Sequence, residues 1–158
     1  MLQNRPEYII SACLCGRPCR YDGRAKADPR LVELVNAGKA VLVCPECLGG
    51  LKTPRPPAEI IGDKVVDLNG KDVSAQFAKG AKRVLGIAKK YGITKAILKE
   101  RSPSCGSSMI YDGTFSNKLI PGQGVTTRLL RQNEVTIYSE EQLPGEFNHP
   151  LIFGTNQL

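Results

Sequence analysis

The sequence contains no tryptophan, a single histidine and only 6% aromatic residues. Because aromatic rings are scarce, the chain has little with which to stack the bases of a single-stranded nucleic acid. The lone His149 excludes zinc sites that need two histidines, and it argues against a Cys–His or Ser–His–Asp catalytic group. The sequence therefore argues against most catalytic sites in which a histidine activates a serine or cysteine nucleophile.

The sequence also has no apolar run long enough for a membrane-spanning helix. Its first residues lack the basic region, apolar stretch and cleavage site of a signal peptide. With 41% hydrophobic and 23% charged residues, the composition is that of a folded soluble protein. We therefore expect a cytoplasmic protein with no membrane partner. We also expect one domain over residues 1–158. The hydrophobic pattern gives little indication of the secondary structure of the tail from about residue 140.

The chain carries a net charge of +7, from 22 Lys and Arg against 15 Asp and Glu. The simpler interpretation, which we favour, is a solvated lysine-rich helix face. The alternative is a weak attraction for RNA or for an anionic metabolite.

Hydrophobic periodicity predicts strands alternating with helices, which indicates a parallel sheet covered on both faces. The expected architecture is a single-domain, three-layer, Rossmann-like α/β fold with a mostly parallel sheet. Residues 45–58, rich in proline, and the long segment 99–124 are expected to be loops, and residues 59–68 a small hairpin. The predicted core strands are 8–13, 40–44, 95–98 and 135–138, and the predicted helices begin at Pro29, near Ser74 and at Val125.

Three of the six cysteines follow core strands. Cys13 ends the first predicted strand, Cys44 ends the second, and Cys105 lies in the loop after the third. In a parallel sheet these positions arrive at the same edge, where α/β proteins bind their ligands. Three thiolates meeting at one point favour a metal centre, and they suit an iron–sulfur cluster that leaves one iron open.

The remaining cysteines leave other interpretations open. Cys15, Cys19, Cys44 and Cys47 form C-x3-C and C-x2-C pairs, which is a fair spacing for a four-cysteine zinc site. By spacing alone, zinc and iron–sulfur are about equally supported. A non-catalytic zinc module associated with RNA is one alternative function, and an iron–sulfur electron carrier is another. Some of the thiols could also simply be small buried hydrophobes.

A set of short motifs resembles the thiouracil desulfurase family, and the resemblance extends from about Tyr8 to Glu141. Each motif alone is weak, whereas their order along the chain is highly specific. They are Ser11-Ala12-Cys13-Leu14, Arg20-Tyr21-Asp22-Gly23, Cys44-Pro45-Glu46, Gly49-Gly50-Leu51, Pro54-Arg55-Pro56-Pro57-Ala58-Glu59, Ser102-Pro103-Ser104-Cys105-Gly106 and Tyr111-Asp112-Gly113-Thr114-Phe115.

The resemblance implies an enzyme with a [4Fe-4S] cluster held by Cys13, Cys44 and Cys105, whose fourth iron is free for substrate sulfur. It also implies a catalytic role for Glu46 and a substrate contact by Ser102. Ser104 is expected only to shape its loop. Arg55 and Glu59 are candidates for a structural ion pair or for a substrate contact.

The implied reaction converts C=S to C=O without net redox change and releases sulfide. A thiocarbonyl sulfur is soft and prefers a thiophilic metal, and Glu46 could take the proton of the attacking water. The substrate would be a thiolated pyrimidine such as thiouracil or a thionucleoside, with thiolated tRNA left open. The oligomeric state and the role of the three other cysteines are not predicted.

Overall fold

The computed structural model describes residues 5–147 and is built on a four-stranded parallel sheet. The strands lie in the order β2-β1-β5-β8, so the first strand of the chain is internal. In register, Tyr8 pairs with both Ala40 and Lys95, and Lys95 pairs with Thr136. The four strands are β1 (Tyr8–Ser11), β2 (Ala40–Val43), β5 (Lys95–Leu98) and β8 (Thr136–Ser139).

Helices cover both faces of this sheet. Side chains alternate between the faces of a strand, so Ile9 packs into a cluster with residues of α3 and α4, whereas Tyr8 and Ile10 pack with Leu31 of α1. The three-layer α/β architecture expected from the sequence is therefore confirmed. The helices are α1 (Pro29–Asn36), α2 (Pro45–Leu48), α3 (Ser74–Tyr91) and α4 (Val125–Gln132).

Local signals in the sequence explain where these helices begin and end. The Asp28 carboxylate accepts a hydrogen bond from the Arg30 backbone N–H at 3.0 Å, and Pro29 occupies the first position of α1, as expected for a capped helix start. Gly92 ends α3 with φ +66°, a conformation that glycine adopts without a steric penalty.

Two antiparallel hairpins complete the described residues. The predicted hairpin is β3 (Ala58–Ile61) with β4 (Lys64–Asp67). The second was missed: residues 99–124, expected to be a loop, contain β6 (Met109–Tyr111) and β7 (Leu119–Pro121). Strands of three residues are too short to give a periodic signal.

The expectation of a loop over residues 45–58 was also wrong for the first four residues, which form α2. Pro45 opens the single turn of α2, because the fixed φ of proline suits a first helical position. This turn packs closely on α3 through glycines: a Cβ added at Gly49 would lie 1.9 Å from the Gln76 carbonyl oxygen, and one at Gly80 would lie 1.8 Å from that of Pro45. Only residues without a side chain allow this approach. The single histidine, His149, lies outside the described residues, as do all the residues from 148 onward.

Candidate active site

Cys13, Cys44 and Cys105 all line one cavity of about 430 Å³ at the carboxyl ends of the parallel strands. Cys13 lies in a 3-10 turn, Ala12–Cys15, directly after β1, and Cys44 directly follows β2. The sheet thus brings three thiols together from far-separated parts of the chain, as the sequence predicted. Cys19 lines the same cavity, whereas Cys15 and Cys47 do not.

Serines hold the loop that carries Cys105. The Ser11 hydroxyl donates to the Cys105 sulfur at 3.5 Å and accepts from the Lys99 N–H at 2.9 Å. The Ser102 Oγ accepts from the backbone N–H groups of Ser104 and Cys105, both at 3.1 Å. A hydroxyl has two acceptor lone pairs and one proton, so Ser102, which lines the cavity, retains its proton for donation.

Three thiols of the cavity wall, those of Cys105, Cys44 and Cys19, have pKa values raised above the ordinary value of a cysteine. Burial raises the pKa of Cys105 to about 12. A hydrogen bond with the Cys19 thiol, together with burial, raises the pKa of Cys44. Hydrogen bonding with the Cys13 thiol raises the pKa of Cys19 to about 11. A metal that binds these sulfurs must therefore displace protons, so its binding releases them to solvent.

Glu46 is held at both of its carboxylate oxygens. Arg55 Nε donates to Oε1 at 2.9 Å, and the Ser104 hydroxyl donates to Oε2 at 3.2 Å. The side chains of Arg55 and Glu46 are only 8% and 15% exposed, so solvent screens this ion pair less than a surface pair. Glu46 also lines the cavity, and a fixed carboxylate there can exchange a proton with a bound molecule.

Arg55 joins this carboxylate to the cysteine segments. Its Nη2 donates to the Cys19 carbonyl oxygen at 2.9 Å, and the Cys44 thiol donates to the same oxygen at 3.6 Å. Its Nη1 donates to Lys52 O and Thr53 Oγ1 at 3.1 and 2.9 Å. All parts of the guanidinium are therefore engaged, which fixes the side chain in place.

The structure decides one alternative that the sequence left open for Arg55 and Glu59, an ion pair or a substrate contact. The suggested ion pair between Arg55 and Glu59 does not form. Glu59 instead accepts from the backbone N–H groups of Gly113 and Phe115, at 2.9 and 3.1 Å. Ser104, expected only to shape its loop, contacts Glu46. Arg55 pairs instead with Glu46, nine residues earlier in the chain.

Glu100 is a buried acid that sequence analysis overlooked. It is 4% exposed, and its carboxylate accepts from the backbone N–H and the hydroxyl of both Ser107 and Ser108, at 2.7–3.1 Å. Burial alone would raise its pKa, but the hydrogen bonds from these serines prevail and lower it to about 2. Glu100 is therefore an anion that shapes the turn around Cys105.

The four-cysteine zinc site is not assembled. Within residues 5–147, no three Cys, His, Asp or Glu side chains are close enough together to hold a single metal ion. A cluster is a larger group whose thiolates bind different irons, so thiols around a shared cavity fit a cluster better than one ion. All six cysteines, which lie within this part of the chain, are free thiols.

Comparisons with known proteins identify the relatives of this chain. The family model of 2-thiouracil desulfurase matches residues 8–142. The chain belongs to the 2-thiouracil desulfurase family. The resemblance drawn from its motifs is thereby confirmed.

Two known proteins are similar to this chain over most of its length. An uncharacterized protein of Bacillus subtilis (strain 168), YbbK, is 46% identical over 145 residues, covering 85% of this chain and 96% of YbbK. The solved structure of the [4Fe-4S]-dependent thiouracil desulfidase TudS matches with 45% identity and a TM-score of 0.85, covering 97% of this chain and 99% of the other. The fold of this chain is therefore that of TudS. No helix of the described residues is long and apolar enough to cross a membrane.

Proposed function

We propose that this protein is a desulfurase that hydrolyses thiolated pyrimidines such as thiouracil, using a [4Fe-4S] cluster held by Cys13, Cys44 and Cys105. The observation that carries the proposal is the meeting of these three thiols with the fixed carboxylate of Glu46 in one cavity. Family membership and the likeness to TudS support the same chemistry.

The residues present fit such a cluster. Three soft sulfur donors line one cavity, and thiolates are the usual protein ligands of iron–sulfur clusters. When bound with an open iron, the cluster supplies a thiophilic Lewis acid that polarises the C=S bond of the substrate.

Glu46 acts as the general base in this proposal. Its carboxylate takes a proton from water as the water oxygen attacks the thiocarbonyl carbon, and it returns that proton as the carbon–sulfur bond breaks. The balanced reaction is C=S plus water to C=O plus hydrogen sulfide. Arg55 and Ser104 hold the two carboxylate oxygens, so the base is oriented before substrate arrives.

Ser102 serves as a hydrogen-bond donor. Two backbone N–H groups occupy its lone pairs, so its hydroxyl can act towards a bound molecule as a donor. A donor is suited to the negative charge that develops on the substrate during attack.

We also infer a cytoplasmic location, because six free thiols suit a reducing compartment. We likewise infer that residues 1–158 form a single domain.

Anaerobic purification followed by iron, sulfide and activity measurements tests the proposal. We expect a brown protein that releases sulfide from 2-thiouracil, and the assay extended to thionucleosides and thiolated tRNA defines the substrate range.

Replacement of Cys13, Cys44 or Cys105 by Ser should remove most of the iron and the activity. The matched controls are C15A and C47A, at thiols outside the cavity, and C19A, at the fourth thiol of the wall. All three should retain the cluster spectrum. A ligand variant that keeps full iron and activity, or wild type that binds only zinc, contradicts the proposal.

A further inference from the structure

The loop between β6 and β7 contributes two strained residues to the cavity wall. Phe115 has φ +57° and Asn117 has φ +62°, a left-handed conformation that non-glycine residues rarely adopt. Arg101, at φ +67°, lines the same cavity. Within residues 5–147, four non-glycine residues have positive φ, and three of them belong to this wall. Such strain persists where the surroundings enforce it, and it clusters at ligand sites.

The rest of the loop is built to hold this conformation. The buried carboxylate of Glu59 accepts from the N–H groups of Gly113 and Phe115. The Asp112 carboxylate accepts from the Thr114 N–H and hydroxyl at 3.0 and 2.6 Å. The backbone is therefore fixed by side chains other than those of Phe115 and Asn117.

Folding leaves the side chains of Phe115 and Asn117 unused. Phe115 belongs to none of the three hydrophobic clusters found in residues 5–147. The Asn117 amide makes no side-chain hydrogen bond within the same range, and both residues line the cavity. An aromatic ring and an amide thus line the cavity that also contains the thiols, on backbone in the left-handed region.

We propose that Phe115 and Asn117 recognise the pyrimidine ring of the substrate. This inference rests on the proposed desulfurase function and deepens it. Phe115 stacks on the ring, as aromatic side chains do with bases. The Asn117 amide offers an acceptor and a donor side by side, which complement the N3–H and the C4 carbonyl of a thiouracil. The substrate class is therefore a thiopyrimidine whose N3–H and C4 carbonyl are both free.

The test must separate recognition from a purely conformational role, because asparagine is also favoured in left-handed turns. N117D keeps the shape and the left-handed preference but replaces the amide donor by a second acceptor. N117G relieves the strain and removes the amide. E134G is the matched control, because Glu134 has φ +65° but lies outside the cavity.

The measurements use anaerobically purified holoenzyme and two substrates, 2-thiouracil and its 3-methyl derivative, which lacks the N3–H. Wild type should discriminate against the methyl derivative. Both Asn117 variants should raise the KM for 2-thiouracil and the Kd for uracil, measured by calorimetry, by about tenfold or more. N117G should also bring the two substrates close to parity while kcat changes little, whereas N117D, which keeps an acceptor for the N3–H, should still discriminate against the methyl derivative. F115L should raise the KM for both substrates alike.

E134G should keep the wild-type KM, Kd and discrimination. Asn117 variants that keep wild-type KM and discrimination overturn the inference while the proposed function stands. Asn117 variants that lose iron show a structural role and overturn it as well. A wild-type protein that releases no sulfide from either substrate overturns the proposed function, and this inference with it.

Discussion

Glu46 is the residue on which the proposed chemistry depends most. Its two carboxylate oxygens are engaged by different segments, Arg55 from the proline-rich loop and Ser104 from the loop of Cys105. A base held in this way does not have to be oriented when substrate binds. The ion pair also connects to the cysteines, because Arg55 and the Cys44 thiol share the Cys19 carbonyl oxygen.

We expect Glu46→Gln to lower kcat by about 10²–10⁴-fold, the usual contribution of general acid–base catalysis. The amide preserves size but cannot exchange a proton. Iron content and the visible spectrum should match wild type, and uracil should still bind. Loss of iron would assign Glu46 a structural or ligand role, and near-normal turnover would move the proton chemistry to Ser102 or to water.

At the scale of elements, the contact between α2 and α3 fixes the position of Glu46, which lies in α2. The two helices approach so closely that Gly49 and Gly80 each face a carbonyl oxygen of the other segment. A side chain at either glycine would have to push the turn of α2 away from α3. Since α2 follows Cys44 directly, that displacement would reach the cavity wall.

Gly80→Ala should therefore destabilise the protein by about 1–3 kcal/mol or more, as overpacking does, and should reduce activity. The control is Gly86→Ala in the same helix, where an added Cβ meets nothing within 4 Å. That change should stabilise by about 0.5–1 kcal/mol, because alanine favours a helix over glycine. Urea unfolding of both variants measures the difference. Equal effects would show that the α2–α3 contact tolerates a methyl group.

The turn that carries Cys105 depends on the buried anion of Glu100. Its pKa of about 2 lies below the ordinary value of 4.5, so ionised Glu100 stabilises the fold above the unfolded pKa. That stabilisation is lost as pH falls from about 5 towards 2.

Glu100→Gln should cost on the order of 3 kcal/mol at pH 7, because the new NH₂ faces N–H donors that then lack an acceptor. The difference from wild type, followed by thermal unfolding at several pH values, should shrink as the solution is acidified below pH 5. A difference that stays constant down to pH 3 would show that the charge of Glu100 contributes nothing. The control is E33Q, at an exposed carboxylate of α1, which should change stability much less.

Elements with strong local signals were predictable from sequence. Helix α4 was expected over the residues it occupies, and Gly92 was expected to end α3. The parallel sheet explains why Cys13 and Cys44 reach one edge, whereas Cys105 lines the same cavity through a loop held by serines. The strands of the second hairpin were not predictable, because three residues are too short to give a periodic signal. The partners of Arg55 and Glu100 lie only 7–9 residues away, but irregular loop geometry selects them and no periodic pattern indicates it. The likeness to a known family identified Glu46, but only the structure showed what holds it.

At the scale of the whole molecule, a bound cluster would link the ends of β1 and β2 to the loop that carries Cys105. Such a link stabilises the folded state, because the ligands are brought together only on folding. Anaerobic removal of the cluster should lower Tm by about 5–10 °C, which corresponds to a few kcal/mol for a chain of this size. The C105S variant, treated in the same way, should show little change. If cluster removal left the Tm of the wild type unchanged, the cluster would not stabilise the fold, and the cysteines would be held in position without it.

The strand order also determines when the site can exist during synthesis. Strand β1 is made first but lies between β2 and β5, so the ribosome has released Cys13 and Cys44 well before the segment that pairs on the other side of β1. Until Cys105 emerges, the nascent chain offers two of the three thiols and no closed cavity. A cluster held by all three thiols could therefore be inserted only after Cys105 has left the ribosome.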